Sequence, residues 1–148
     1  MSYTQAYNAY QKANITTASQ GHLIVLLYEA AVRNLNGAAA LIDANGKIKA
    51  NEIEKFGNFI QKTQSIITEL QVSLDMDKGG DISKNLMSLY VYFNSELMDA
   101  NINHNKKKID SVRGMMEQLL DSWKTASNST ANTNTSASMQ QPALNIEG

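Results

Sequence analysis

Apolar residues along the chain recur three and four apart, the period at which side chains share one face of an α-helix. Ile24, Leu27, Ala31, Leu35, Ala38 and Ile42 hold that spacing, and the run Leu23-Ile24-Val25-Leu26-Leu27 is too apolar to be left in water. The pattern predicts a helix over residues 19–42, with Ser19 as its N-cap and Asn45-Gly46 supplying the left-handed stop. Ile53, Phe56, Ile60, Thr63, Ile67, Leu70 and Leu74 form the stripe of a second helix, which Phe59 and Ile66 widen on one side. The run from Asp75 to Asp81 holds Gly79-Gly80 and reads as a chain reversal, since glycine accepts backbone angles that other residues resist. Asp81 is expected to cap a third helix, in which Ile82, Leu86, Leu89, Phe93 and Ala100 share a face with Tyr90 and Leu97 beside it. The pattern breaks at residues 101–105 and resumes with Ile109, Val112, Met116, Leu119 and Trp123, a fourth helix.

Short turns between helices of matched length favour antiparallel neighbours. The predicted fold class is therefore all-α, an antiparallel up-down-up-down four-helix bundle over residues 19–126. Residues 1–18 carry Tyr3, Tyr7 and Tyr10 at helical spacing but few aliphatics, so they read as a conditional segment, either a short helix docked on the body or a frayed end. Residues 127–148 are mostly Ser, Thr, Asn, Ala and Gln and read as a disordered tail.

Composition narrows the function classes. The chain has 148 residues and a formal net charge of −1, which fits one domain and lacks the basic surplus of a general nucleic-acid binder. It has no cysteine, so a disulfide framework and thiolate metal sites are excluded. The polar start has no secretory pattern, and the longest apolar run is far short of the ~18 residues that span a bilayer, so a cytoplasmic protein without membrane insertion is expected.

Candidate chemistry fails motif by motif. Asp75, Asp77, Gly80 and Asp81 imitate the start of a calcium loop, but Leu86 stands where a bidentate Glu is required. No Glu is followed three residues later by His, which removes a di-iron bundle. His22 and His104 fall near predicted helix ends, where a solvated or capping role is expected; a phosphoacceptor role for His22 would need a following turn unlike Leu23 to Leu26. Lys106-Lys107-Lys108 reads as a solvated junction at the end of the third helix. No catalytic residue, cofactor or metal site is expected.

What the core does not absorb is an apolar excess on other faces. With Leu86, Leu89 and Phe93 inward, Met87, Val91 and Met98 form a second ridge; Val25 and Val32 likewise oppose the core face of the first helix, and Val72 that of the second. Two readings stand: scattered surface apolars, or a groove for a partner helix in which methionine gives adaptable contact.

The residues together carry a resemblance. Tyr10, Ile15, Thr17-Ala18-Ser19, Leu23, Leu27-Tyr28, Ala31, Ile60, Lys62, Ile66-Ile67, Glu69-Leu70, Ser73-Leu74-Asp75, Gly79-Gly80, Asn85-Leu86, Leu89-Tyr90, Tyr92 and Ala100-Asn101 stand in an order that resembles the flagellar secretion chaperone FliS family over roughly residues 3–125. The chain departs from it at Gln20, where the family often has proline, and at Glu29-Ala30, where it often has Asp-Gly. The resemblance implies a non-enzymatic cytoplasmic bundle that holds the disordered C-terminal segment of flagellin, blocks premature polymerisation and brings it to the flagellar type III export apparatus. It also implies that the segment before Thr17 can cover the binding surface, with Tyr7 and Tyr10 as the reversible cover. The competing classes are a generic helical adaptor for another amphipathic helix and, more distantly, a phosphotransfer protein.

Overall fold

The computed structural model describes residues 17–139, with the side chains of residues 21–126. Four α-helices stand among them: α1 over Thr17–Ala40, α2 over Ile53–Ser73, α3 over Gly80–Asn103 and α4 over Lys106–Met139, with a 3-10 turn at Ala50–Glu52 leading into α2. Successive contacts fix the topology. Gly37, late in α1, meets Phe59, early in α2; Gln71, late in α2, meets Met87, early in α3. Asp99, late in α3, meets Lys108, early in α4, and Lys124, late in the bundle portion of α4, returns to Glu29, midway along α1. Each helix therefore runs antiparallel to the next and the ring closes, which is the up-down-up-down bundle expected of the sequence.

The buried stripes explain why the helices stay in register. Ile24, Tyr28, Ala31, Leu35 and Ala38 of α1, and Phe56, Ile60, Thr63, Ile67 and Leu70 of α2, alternate steps of four and three. So do Ser83, Leu86, Tyr90, Phe93, Leu97 and Ala100 of α3. An average period of 3.5 keeps one seam facing the neighbours along a helix of roughly 35 Å. Two buried hydroxyls on these stripes find backbone partners: Thr63 Oγ1 donates to Phe59 O at 2.9 Å and Ser83 Oγ to Asp75 O at 2.8 Å. At the centre, Tyr28 and Tyr90 join hydroxyls at 2.5 Å across the bundle diagonal. Burial, and then the neighbouring Tyr90, holds the Tyr28 phenol well above its ordinary pKa, with a hydrogen bond from Trp123 pulling the other way.

Several local expectations are corrected. The helical backbone of α1 begins at Thr17, so Ser19 lies inside the helix and is not its N-cap. Nor does Asn45-Gly46 end α1, which stops at Ala40; Gly46, at φ 76°, instead closes a turn in which Asp43 Oδ1 accepts from the N–H groups of Asn45 and Lys47. Asp81 lies in the first turn of α3, whose N-cap is Gly79, without a side-chain cap. The core stripe of α3 is rotated from the one expected, so that Tyr90 and Leu97 lie at its centre while Ile82 and Leu89 are half-buried at its edge. In α4 Leu120 is buried where Leu119 was expected, and Ile53 at the start of α2 is exposed. The three lysines open α4 and do not close α3; a helix N-terminus disfavours cations, and here Asn105 caps the turn through Lys108 N while Asp99 and Glu96 of α3 receive the Lys108 ammonium. The backbone of α4 stays helical through Met139, past the end expected at residue 126.

Candidate functional site

The structure places the expected site residues in three different environments. Val32 is 8% exposed and belongs to the core, and Val25 is half-buried against it, so neither stands on an outer ridge of α1. The reason is that α4 packs on that flank of α1, as the Lys124–Glu29 ion pair beside Val25 and Val32 marks. Val72 at 68%, Val91 at 53% and Met98 at 60% are exposed, and Met87 is half-buried beside them. Tyr7 and Tyr10 lie outside the described residues.

Val91 and Met98 lie on the flank of α3 that borders α2, not diametrically opposite its core stripe. Helical phase puts them on the side of Met87 and Asn94, whose contacts with α2 are known. Gln64 Nε2 donates to Asn94 O at 3.3 Å, Asn94 Nδ2 to Gln71 Oε1 at 3.4 Å, and Gln71 Nε2 to Met87 Sδ at 3.5 Å. The bottom of the α2–α3 groove is thus a row of amides and one thioether, joined by long hydrogen bonds. Asn94 Oδ1, though buried, finds no acceptor role in the row. Above it, α2 presents a shallow depression of about 570 Å³ lined by Gln61, Gln64, Ser65, Thr68, Glu69 and Val72. α3 answers with Met87, Val91, Ser95, Met98 and Ile102, four or three residues apart. Glu69 is the one charged residue that lines the depression, and Lys84 and Asp99 carry charge beside the α3 ridge.

Ile102, 72% exposed, is a member of the ridge that the sequence reading assigned to a break in the pattern. The signal was present, since Ile102 stands four residues after Met98 and so one turn along the same ridge. Exposed Leu23 and Leu26 on α1 and Tyr92 on α3 were also missed as surface residues.

The chemistry of this surface is that of contact. Among the described residues no cluster of His, Cys, Asp and Glu could hold a metal ion. Asp75, which imitated a calcium ligand, spends Oδ1 on the N–H groups of Asp77 and Lys78 and so shapes the reversal before α3. His104 occupies the left-handed C-cap of α3 at φ 53°, its ring edge-on to Phe56 with centroids 5.3 Å apart, and His22 is exposed on α1. No described helix is long and apolar enough to cross a membrane. A half-apolar, amide-floored surface with little charge suits an amphipathic helix, whose apolar side chains would meet the valines and methionines while polar ones find the amides.

Residues 3–130 match the family described as flagellar protein FliS. The chain is 32% identical over 123 residues to the flagellar secretion chaperone FliS of Campylobacter jejuni, covering 83% of this chain and 91% of that protein. It is 30% identical over 126 residues to the protein of the same name from Bacillus subtilis, covering 85% and 89%, and 30% identical over 111 residues to that from Salmonella typhimurium, covering 74% and 78%.

Proposed function

The chain belongs to the FliS family of flagellar proteins, and from that premise we propose that it is a flagellin export chaperone of the cytoplasm. It binds the disordered C-terminal segment of flagellin, prevents premature polymerisation and delivers the subunit to the flagellar type III export apparatus. It works by holding a helix, with no chemical step. The observation that carries this reading is the exposed apolar row Val72, Val91, Met98 and Ile102 beside the amide-floored groove between α2 and α3, a surface that a bundle with no partner would gain nothing by keeping. The flagellin segment folds as it binds, so the association carries an ordering cost and buries apolar area.

Titration of the protein with a peptide of the flagellin C-terminal segment tests the reading. The expected result is a clearly negative heat-capacity change, a gain of helical signal, and an affinity that survives added salt because no charged cluster lies in the groove. Absence of both heat and a melting-temperature shift at high peptide excess would leave the generic helical adaptor as the better description.

A further inference from the structure

The chain has seven methionines and no cysteine, so no thiol stands ahead of the thioethers when an oxidant arrives. Position in the fold ranks those that the structure describes. Met98 is 60% exposed on the outer ridge of α3, and Met76 is 41% exposed in the reversal between α2 and α3. Met87 is half-buried, and Gln71 Nε2 donates to its sulfur at 3.5 Å, which occupies one of the lone pairs through which it would react. Met115 is half-buried against the core and Met116 is fully buried. Susceptibility follows access, so the order runs from Met98 through Met76 and Met87, with Met116 last. The most accessible thioether among the described residues is therefore the one that stands between Val91 and Ile102 on the partner-binding ridge.

We propose that Met98 is an oxidation switch: hydrogen peroxide converts it to the sulfoxide, and the oxidised chaperone, on the flagellin reading given above, loses its hold on the partner helix. The step balances with peroxide alone. A sulfur lone pair attacks one peroxide oxygen, the S–O bond forms as the O–O bond breaks, and the other oxygen leaves as water with both peroxide protons. Sulfur gives up an electron pair and the peroxide takes it. A flexible apolar side chain thereby becomes a polar one that accepts hydrogen bonds. At an exposed position water satisfies that acceptor, so the free protein is little affected. Beneath a docked helix the water is gone, and the amide nitrogens of the groove, on Gln64, Gln71 and Asn94, already donate within their own row. The sulfoxide oxygen is then buried with no donor in place, which weakens binding. A bound helix also covers the sulfur, so oxidation disables the empty chaperone and spares the loaded one. A thiol-dependent sulfoxide reductase restores the thioether, the oxygen leaving as water while two thiols become a disulfide.

The test treats the full-length chain with hydrogen peroxide for increasing times and then removes the peroxide with catalase. Each sample is read by mass mapping of its methionines, by circular dichroism, and by titration with a flagellin C-terminal peptide that lacks methionine. Met98 should gain oxygen first, and affinity should fall roughly tenfold in step with it, while Met116 is still untouched and the helical signal is unchanged. Peptide present during the treatment should slow the reaction at Met98 and not at Met76. Met76→Leu should lose affinity on treatment as the wild type does. Met98→Leu, compared with its own untreated sample, should lose little until Met87 reacts, and Met98→Gln, which carries a polar group in place of the sulfoxide, should bind weakly with no oxidant at all. Met98 left as a thioether while Met76 is converted, full affinity after complete conversion at Met98, or a loss in Met98→Leu as fast as in the wild type would each overturn the switch. In all three cases the untreated chain still binds and the flagellin reading stands; an untreated chain that does not bind the peptide would bring down that reading and the switch with it.

Discussion

The two flanks of α2 are built in opposite ways. Toward α1 the packing is close and apolar: Gly37 lies so near Phe59 that a Cβ there would meet the ring at 2.7 to 3.0 Å, and Leu27, Leu41 and Ile66 are half-buried against the core. Toward α3 the contact is an amide row, Gln64, Asn94 and Gln71, with Met87 sulfur at its end and hydrogen bonds of 3.3 to 3.5 Å. Dispersion and burial reward the first arrangement over its whole length. The second stabilises weakly, because long neutral hydrogen bonds replace those to water with little gain. A bundle needs seams like the first to stay folded. A seam like the second is one whose outer surface can receive another helix, and Val72, Val91, Met98 and Ile102 are exposed on that side.

The deepest test of the comparison lies in the stripe that both flanks share. Ile67 is fully buried, so Ile67→Ala should destabilise by about 2 to 5 kcal/mol while the remaining folded fraction keeps full affinity for flagellin peptide. Thermal melts and peptide titration on the same sample decide it, and lost affinity in the folded fraction would mean that core and binding surface are not separable. Next comes the tight flank. Gly37→Leu forces Phe59 aside and should cost about 1 to 3 kcal/mol, with part of the loss recovered in Gly37→Leu/Phe59→Ala. Simple additivity of the two changes would show that the ring is not what confines Gly37.

The core and the bundle topology were legible in the sequence because burial repeats, and repetition at three and four survives small errors of phase. Ile24, Phe56, Ile60, Ile67, Leu86, Phe93, Ile109 and Trp123 were all placed inward correctly. Phase itself was less secure. Val32 was assigned outward because one stripe was assumed per helix, whereas α1 is flanked by both α2 and α4 and buries a wider arc. Tyr90 was set beside the core of α3 because a phenol is an ambiguous amphiphile; its hydroxyl is accommodated by Tyr28, which no local pattern on α3 could announce. The ridge of Met87, Val91 and Met98 was visible, but Ile102 hid among Asn101, Asn103 and Asn105, and the amide floor could not be read without knowing which side of α3 meets α2.

The open flank should separate stability from binding. Val91→Glu and Met98→Glu add a carboxylate at exposed positions, so the free protein should stay within about 1 kcal/mol of wild type. The same charge, buried unpaired beneath a bound helix, should weaken flagellin-peptide affinity by roughly tenfold or more. Val72→Glu on the opposite lip should do the same more mildly, since Glu69 already charges that side. If Val91→Glu unfolds the chain, the ridge is core; if neither property moves, the helix docks elsewhere, with the exposed Leu23 and Leu26 of α1 as the next surface to probe.

The smallest expected effect is also the one whose sign says most about the amide row. Asn94 Oδ1 is buried without a hydrogen-bond partner, and its amide nitrogen reaches Gln71 only at 3.4 Å. The firmer link, from Gln64, goes to the backbone carbonyl of residue 94 and does not depend on its side chain. Asn94→Leu keeps the approximate volume, removes the unsatisfied oxygen and leaves Gln71 its contact with Met87. Replacing a poorly satisfied buried amide by a carbon side chain of similar shape is close to neutral or favourable. The stability change should therefore be under about 1 kcal/mol, with the melting temperature level or slightly raised. Flagellin-peptide affinity should change little, since Asn94 lies beneath the surface formed by Val91 and Met98. A loss well beyond 1 kcal/mol would show that the row fixes how α3 sits on α2, in which case the two flanks of α2 would differ in chemistry but not in strength.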